Sequence, residues 1–294
     1  MKALFVVNPR SGARRRINVA EALRESCRRT PHRVIDCPAV GELARMVEEA
    51  KAQHFDVVFA VGGDGTVHEI AKHLIGRQDL ALGIVPTGSG NGFARHLGLD
   101  FDIASALALC EAGSVVTIDT AEVNCSPFLG VMGLGLDAVI AHRFAGSDIR
   151  GLRTYVVEGL KAYFSFVPEE YEVSVDDRKT MARAALIAVA NSNQYGNNAR
   201  IAPLASVQDG QLDVVIVEKL PLVGAPILLT RLFNGTLHKS RRVRFLQGRA
   251  VTIRRAAAGP AHLDGEPVTL EETLNVTVRP SSLRVLLPRT PARI

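Results

Sequence analysis

The sequence predicts two folded parts: an N-terminal α/β domain with a doubly wound sheet, and a mainly antiparallel β-sandwich behind it. Three observations carry this. Over the first 120 residues short apolar runs alternate with helical stretches of 10–15 residues, the pattern of a parallel sheet with right-handed crossovers. After about residue 117 helical periods give way to short β-prone runs with alternation, the pattern of a sandwich. Between the third strand and the helix after it stands Gly-Gly-Asp-Gly-Thr, residues 62–66, where ligands bind in open α/β sheets. Domain spans follow as 1–120 and 121–280.

In order, KALFVVN reads as a buried strand closed by the turn NPRSG. RINVAEALRESCRR has helical spacing, with Ile17, Ala20, Leu23 and Cys27 on one face. HRVIDC is a second strand, VGELARMVEEAKAQ a helix and FDVVFAV a third strand. A helix from about Thr66 to Ile75, the strand ALGIVP, the loop TGSGN, the segment GFARHLG and the helix DIASALALCEAG complete this part. Further on, VVTIDTAEVN, SPFLGVMGLG, EYEVSVDD, ALIAVANSN, LDVVIVEKL, RRVRFLQG, AVTIRR and TLNVTVRP read as strands. Two helical patterns interrupt them, at 149–167 and 224–233. The first carries a stripe of Leu152, Tyr155, Val156, Leu160, Tyr163 and Phe164, a core face or one wall of an apolar cavity.

Hydrophobic residues make up 47% of 294, enough for a sizeable core, and no run approaches the roughly 20 apolar residues that span a bilayer. A cytoplasmic chain is expected. Cys27, Cys37, Cys110 and Cys125 lie far apart without CxxC spacing, so buried reduced thiols are expected. The net charge of +5 is uneven: residues 231–255 hold eight Lys or Arg and no Asp or Glu. Such a face attracts nucleotide phosphates or anionic headgroups. With Leu228, Leu229, Leu232 and Phe233 it is expected to rest on a membrane surface. Partnership with nucleic acid is not expected, and a homodimer is compatible with the sequence.

The glycine turn has its own chemistry. The first amides of a helix point away from it without intrahelical partners, at the positive end of the helix dipole. Glycines at 62, 63 and 65 admit phosphate oxygens to the main chain, and Thr66 is placed to cap the helix. Asp64 would repel phosphate unless a divalent cation stands between them or it serves as a base. Neither the Walker A pattern nor GxGxxG is present, and His68 and His73, five apart, diverge by about 140° on a helix and cannot share a metal.

Six ordered motifs then resemble the diacylglycerol kinase catalytic family, soluble bacterial lipid kinases with sphingosine kinases as relatives. They are NPRSG at 8–12, GGDGT at 62–66, PTGSGNGFAR at 86–95, GLGLDA at 133–138, NSNQYGNNARIAPLASVQDGQLDVVIV at 191–217 and HLDGEP at 262–267. Ser89 and Gly92 depart from the family's usual Thr and Asp. The resemblance implies a phosphofructokinase- and NAD-kinase-like nucleotide domain to which residues 281–294 return, a sandwich, a cleft between them, and ATP-dependent phosphorylation of a lipid hydroxyl, diacylglycerol or a sphingoid alcohol. It assigns Asn8, Ser11, Gly62, Gly63, Asp64, Gly65, Thr66 and Ser89 to the nucleotide, with Asp64 also catalytic. Glu266 becomes the general base, whereas LDGEP taken by itself reads equally as a hairpin turn with an exposed Glu. Asp209, with main-chain oxygens of Ser206 and Gln211, becomes a Mg²⁺ site. Asp137 faces the acceptor headgroup or is an ordinary turn or cap residue. A soluble-substrate kinase of the NAD-kinase type and a non-catalytic nucleotide or lipid sensor are the alternatives. Peripheral membrane association completes the expectation.

Overall fold

The computed structural model describes residues 1–9, 16–27, 31–100, 102–145, 166–218 and 224–289. Ser11 and the 152–164 stripe lie outside them. The chain forms two compact units, Met1–Asp119 with the chain from Pro280 onward, and Thr120–Arg279.

In the first unit β1 (Ala3–Val7), β2 (Arg33–Asp36), β3 (Val57–Gly62) and β4 (Ala81–Pro86) pair in parallel in the order β2-β1-β3-β4. Every residue of β1, β3 and β4 is buried, as expected of parallel strands covered on both faces. Phe5 and Phe59 stack at 4.6 Å in a core with Val7, Val61 and Val85. Helices α1 (Arg16–Cys27) and α5 (Ile103–Ala112) contribute Leu23, Cys27, Ala106 and Cys110 to that core. Helices α2 (Leu43–Ala52), α3 (Asp64–Ala71) and the short α4 (Gly92–His96) complete the unit. Because β1 has β2 on one side and β3 on the other, the strand order reverses there, which makes the C-terminal ends of β1 and β3 a topological switch point. The last strand, β16 (Thr273–Leu287), joins in parallel, Val285 opposite Leu82.

The second unit is an antiparallel sandwich. One sheet runs β12-β11-β10-β7-β14-β15, made of β7 (Val131–Gly135), β10 (Leu186–Ala190), β11 (Leu212–Val217), β12 (Val243–Gly248), β14 (Gly259–Leu263) and β15 (Glu266–Leu270). The other brings the start of β16 beside β13 (Ala250–Arg254), β8 (Glu169–Val175) and β9 (Arg178–Ala184). β5 (Ser114–Val123) pairs with β6 (Ser126–Phe128). Tyr171, Val173, Met132, Leu134, Val214 and Ile253 are among the residues that fill the space between the sheets.

Several expectations need correction. SPFLGVMGLG is two strands, not one. Helix α6 (Leu136–Ala145) and strands β9, β14 and β15 were not read from the sequence. Helix α7 (Ala225–Phe233) does not offer all four apolar residues to a surface, because Leu228 and Leu232 pack against the sandwich. Arg255 is not part of a basic face. It is 9% exposed, and its guanidinium donates to the carbonyls of Gly259, Pro260, Leu270 and Glu271. Arg244 is tied to Thr180 and Met181 on β9. Cys37 is half-buried and Cys125 is exposed at the β5–β6 turn, rather than buried, while all four thiols are free.

Candidate active site

The expected residues fall into one group in the first unit and, in the second, two groups on separate turns, before β11 and between β14 and β15. In the first, they gather at the switch point. Asn8 follows β1, and its Nδ2 donates to Thr66 Oγ1 at 2.7 Å, joining the β1 loop to the first turn of α3. Thr66 does not cap this helix. Gly63 is the N-cap, the helix starts at Asp64, and the Thr66 hydroxyl faces inward, 7% exposed.

The Asp64 carboxylate has a defined structural task. Its oxygens accept from the amides of Gly92 at 3.1 Å and Phe93 at 3.3 Å, the first residues of α4. A carboxylate is the favoured partner for such amides. The 87–91 loop is closed from within by Asn91, in the left-handed region at φ 48°: its Oδ1 accepts from the Gly88 amide and its Nδ2 donates to the Gly88 carbonyl. Ser89 is exposed on this loop. Gly88 shows why glycine is needed, since a Cβ there would lie 2.6 Å from the Gly63 Cα. Close approach of the two loops thus demands glycine here, a reason separate from any phosphate. The amides of Gly88, Gly92 and Phe93 are thereby taken by side chains, and the first turn of α3 sets the positive end of a helix dipole at this switch point.

In the second unit β14 and β15 form a hairpin whose two turn residues, Asp264 and Gly265, have φ 51° and 87°, the signs of a type I′ turn. Asp264 is an anchor: its carboxylate accepts from the amides of Leu129, Gly130 and Val131 at 2.7–3.0 Å. His262 Nδ1 accepts from the Gly265 amide at 3.3 Å. Glu266 follows at the head of β15, its side chain exposed. Glu266 is thus an exposed carboxylate beside a turn whose two residues are both anchored.

Asp137 does not face outward. It is 4% exposed in the first turn of α6, and Tyr195 and His262 both bond to its Oδ2. The sequence offers no local sign of this, since the three residues are far apart along the chain.

Asp209 is exposed on a turn, where its Oδ1 accepts from the Gln211 amide at 3.0 Å and its Oδ2 from Gln247 at 3.1 Å. Ser206 Oγ accepts from the Gln208 amide nearby at 3.2 Å. Asp213, buried on β11, has its pKa pushed up to about 6, first by burial and then by the negative charge of Asp209. Two carboxylates in mutual repulsion are a setting that a hard cation relieves, and Mg²⁺ takes one or two carboxylates and keeps its waters. Oxygen donors of this kind are the ones Mg²⁺ takes. Among the described residues, no group of three or more His, Cys, Asp or Glu is placed to hold a metal.

Residues 2–123 match the diacylglycerol kinase catalytic domain, and residues 130–287 match the YegS C-terminal NAD kinase beta sandwich-like domain. The chain is 32% identical over 255 residues to "Probable lipid kinase YegS-like" of Pseudomonas aeruginosa, covering 84% of this chain and 82% of that one. It is 26% identical over 273 residues to a diacylglycerol kinase of Bacillus subtilis, covering 90% and 89%. A crystal structure of a diacylglycerol kinase from Bacillus anthracis superposes with a TM-score of 0.73 at 18% identity, covering 100% of this chain and 98% of that one, a likeness of fold.

Proposed function

The chain belongs to the family of the diacylglycerol kinase catalytic domain with its YegS-type sandwich, and from that membership we propose that it transfers the γ-phosphoryl group of ATP to the hydroxyl of a lipid. The observation that carries the reading is Glu266, an exposed carboxylate on a turn that Asp264 and His262 hold in place. A lipid alcohol is a poor nucleophile, so a base must take its proton as transfer proceeds. Glu266 fills that role. The acceptor oxygen bonds to the γ-phosphorus, the bond to the bridging oxygen breaks, ADP leaves and the proton passes to Glu266.

Such a transition state is loose, so positioning and charge neutralisation dominate. Asn8, Ser11, Gly62, Gly63, Asp64, Gly65, Thr66 and Ser89 are assigned to the nucleotide. Asp64 also keeps the α3 and α4 turns in register through its two amide bonds. Asp209, with main-chain oxygens of Ser206 and Gln211, would hold Mg²⁺. Bound, that ion supplies positive charge and orders water around the 206–211 turn.

A lipid acceptor is met at a bilayer, and α7 fits one. Its Ile227, Leu229 and Phe233 are exposed, and a hollow of about 310 Å³ beside them is lined by Arg231, Lys239, Arg241 and Arg242 among others. Apolar side chains beside a basic hollow complement an anionic phospholipid surface. Among the described residues no helix is long and apolar enough to cross a membrane.

Radiolabelled ATP offered with a total lipid extract, then with NAD and with sugar phosphates, tests the reading. Label in the organic phase is expected. Label on NAD or a sugar phosphate alone selects a soluble acceptor, and nucleotide binding with no transfer selects a sensor.

A further inference from the structure

Asp137, His262 and Tyr195 come from α6, β14 and the loop after β10, and meet in one buried cluster. His262 is 3% and Asp137 4% exposed. His262 Nε2 lies 3.1 Å from Asp137 Oδ2, which also accepts from the Tyr195 hydroxyl at 2.7 Å. Asp137 Oδ1 accepts from the Ala138 amide at 2.8 Å, and the Tyr195 ring stands edge-on to the imidazole at 5.7 Å. These bonds fix the tautomer. The Gly265 amide only donates, so Nδ1 must accept, and the ring hydrogen sits on Nε2 facing the carboxylate.

Packing does not explain the cluster. A buried carboxylate and imidazole cost desolvation that an apolar filling of the same volume would avoid. The sandwich even makes room for them: a Cβ on Gly133 would lie 2.1 Å from Asp137 Oδ2 and 2.2 Å from His262 Nε2. One bond joins the cluster to the hairpin turn: the amide of Gly265, the residue just before Glu266, donates to His262 Nδ1.

We propose that Asp137, His262 and Tyr195 form a positioning relay that aims the Glu266 carboxylate by pinning the Gly265 amide. Tyr195 and Asp137 orient the imidazole, and the imidazole orients the turn. None of the three touches the reacting atoms. The proposal rests on Glu266 being the base.

A double-mutant cycle tests it, read with radiolabelled ATP and total lipid extract dispersed in detergent. His262→Gln keeps a donor toward Asp137 and loses the acceptor toward Gly265, whereas His262→Asn keeps an acceptor on the Gly265 side. His262→Gln is expected to lower kcat by about 10²-fold, the scale of a 1 Å misplacement, with KM for ATP unchanged and the Gly265 amide exchanging its hydrogen faster. His262→Asn is expected to retain more turnover than His262→Gln. In a Glu266→Gln background, His262→Gln should cost nothing further. Tyr195→Phe, which removes one donor and almost no volume, should give a smaller loss of about tenfold with the same absence of additivity, and it decides the matter if the His262 variants do not fold. Multiplying losses, or wild-type turnover in the folded His262→Gln protein, overturns the relay while leaving Glu266 as base. Full turnover in Glu266→Gln alone overturns the base assignment and the relay with it.

Discussion

Glu266→Gln keeps shape and hydrogen bonding and removes proton acceptance. Turnover is expected to fall by about 10²–10⁴, while ATP affinity and melting temperature stay level, since nothing is lost before the transition state. Steady-state kinetics and calorimetry check this. For Asp209→Asn the readout is thermal: Mg²⁺ should raise the melting temperature of the parent protein and not of the variant, and equal shifts would remove the metal assignment. A third residue, Asp79, tests electrostatics away from any site. Arg77, with Lys51, holds its carboxyl below the usual carboxylate range. A depressed folded pKa adds stability above the unfolded value of about 3.9, and that stability is lost as pH falls through the folded pKa. Asp79 is about a third exposed, so solvent keeps the effect within about 1 kcal/mol. Urea melts of Asp79→Asn and the parent should differ slightly at pH 7, and the difference should begin to shrink only as pH drops below about 4 toward the folded pKa. Of the site residues, those inside a turn were legible in the sequence: Asp64 among its glycines and Glu266 after Asp-Gly. Their partners were not, because the Asp64 bonds to Gly92 and Phe93 and the Asp137 bond to His262 join residues far apart along the chain.

At the scale of elements, the buried strands β1, β3 and β4 were plain as apolar runs. The turn at LDGEP was legible as a hairpin turn, but its flanking strands β14 and β15 were hidden by Pro260 and Pro267, which argue against strands. β15 is an edge strand, where a missing amide hydrogen is tolerated. β9 was hidden in the same way: it ends the other sheet, and its sequence Arg-Lys-Thr-Met-Ala-Arg-Ala presents mostly polar residues outward. Helix α6 followed directly on a glycine-rich strand and read as a loop motif, although it packs on β7, β14 and β15. Helix α7 carries a prediction of its own. Replacing Ile227 and Phe233 with Ser, or Arg231 and Arg241 with Glu, should weaken sedimentation with vesicles containing phosphatidylglycerol. Added salt should weaken the parent protein's binding as well. Activity on detergent-dispersed lipid should fall much less, and equal losses in the two formats would refute docking through α7. In the first unit Gly88→Ala should destabilise the protein, because the Cβ meets the Gly63 backbone, which cannot step aside. Differential scanning calorimetry reads that loss.

The whole molecule is built in a discontinuous order. Its first unit is completed only by the chain from Pro280 onward, where Leu283, Val285, Leu286 and Leu287 are fully buried and Val285 pairs with Leu82. On the ribosome the first 119 residues emerge with β4 still lacking its outer neighbour, and roughly 160 more residues must be made before that neighbour exists. At 5–20 residues per second this is a wait of about 8–32 s with an open, apolar strand edge. The consequence is a vectorial handicap: the unit whose strands are made first is completed last, after the sandwich between its two parts has been made. Nascent chains stalled before residue 280 should show the first unit cleaved readily in pulse proteolysis, and chains released beyond residue 289 should show it protected.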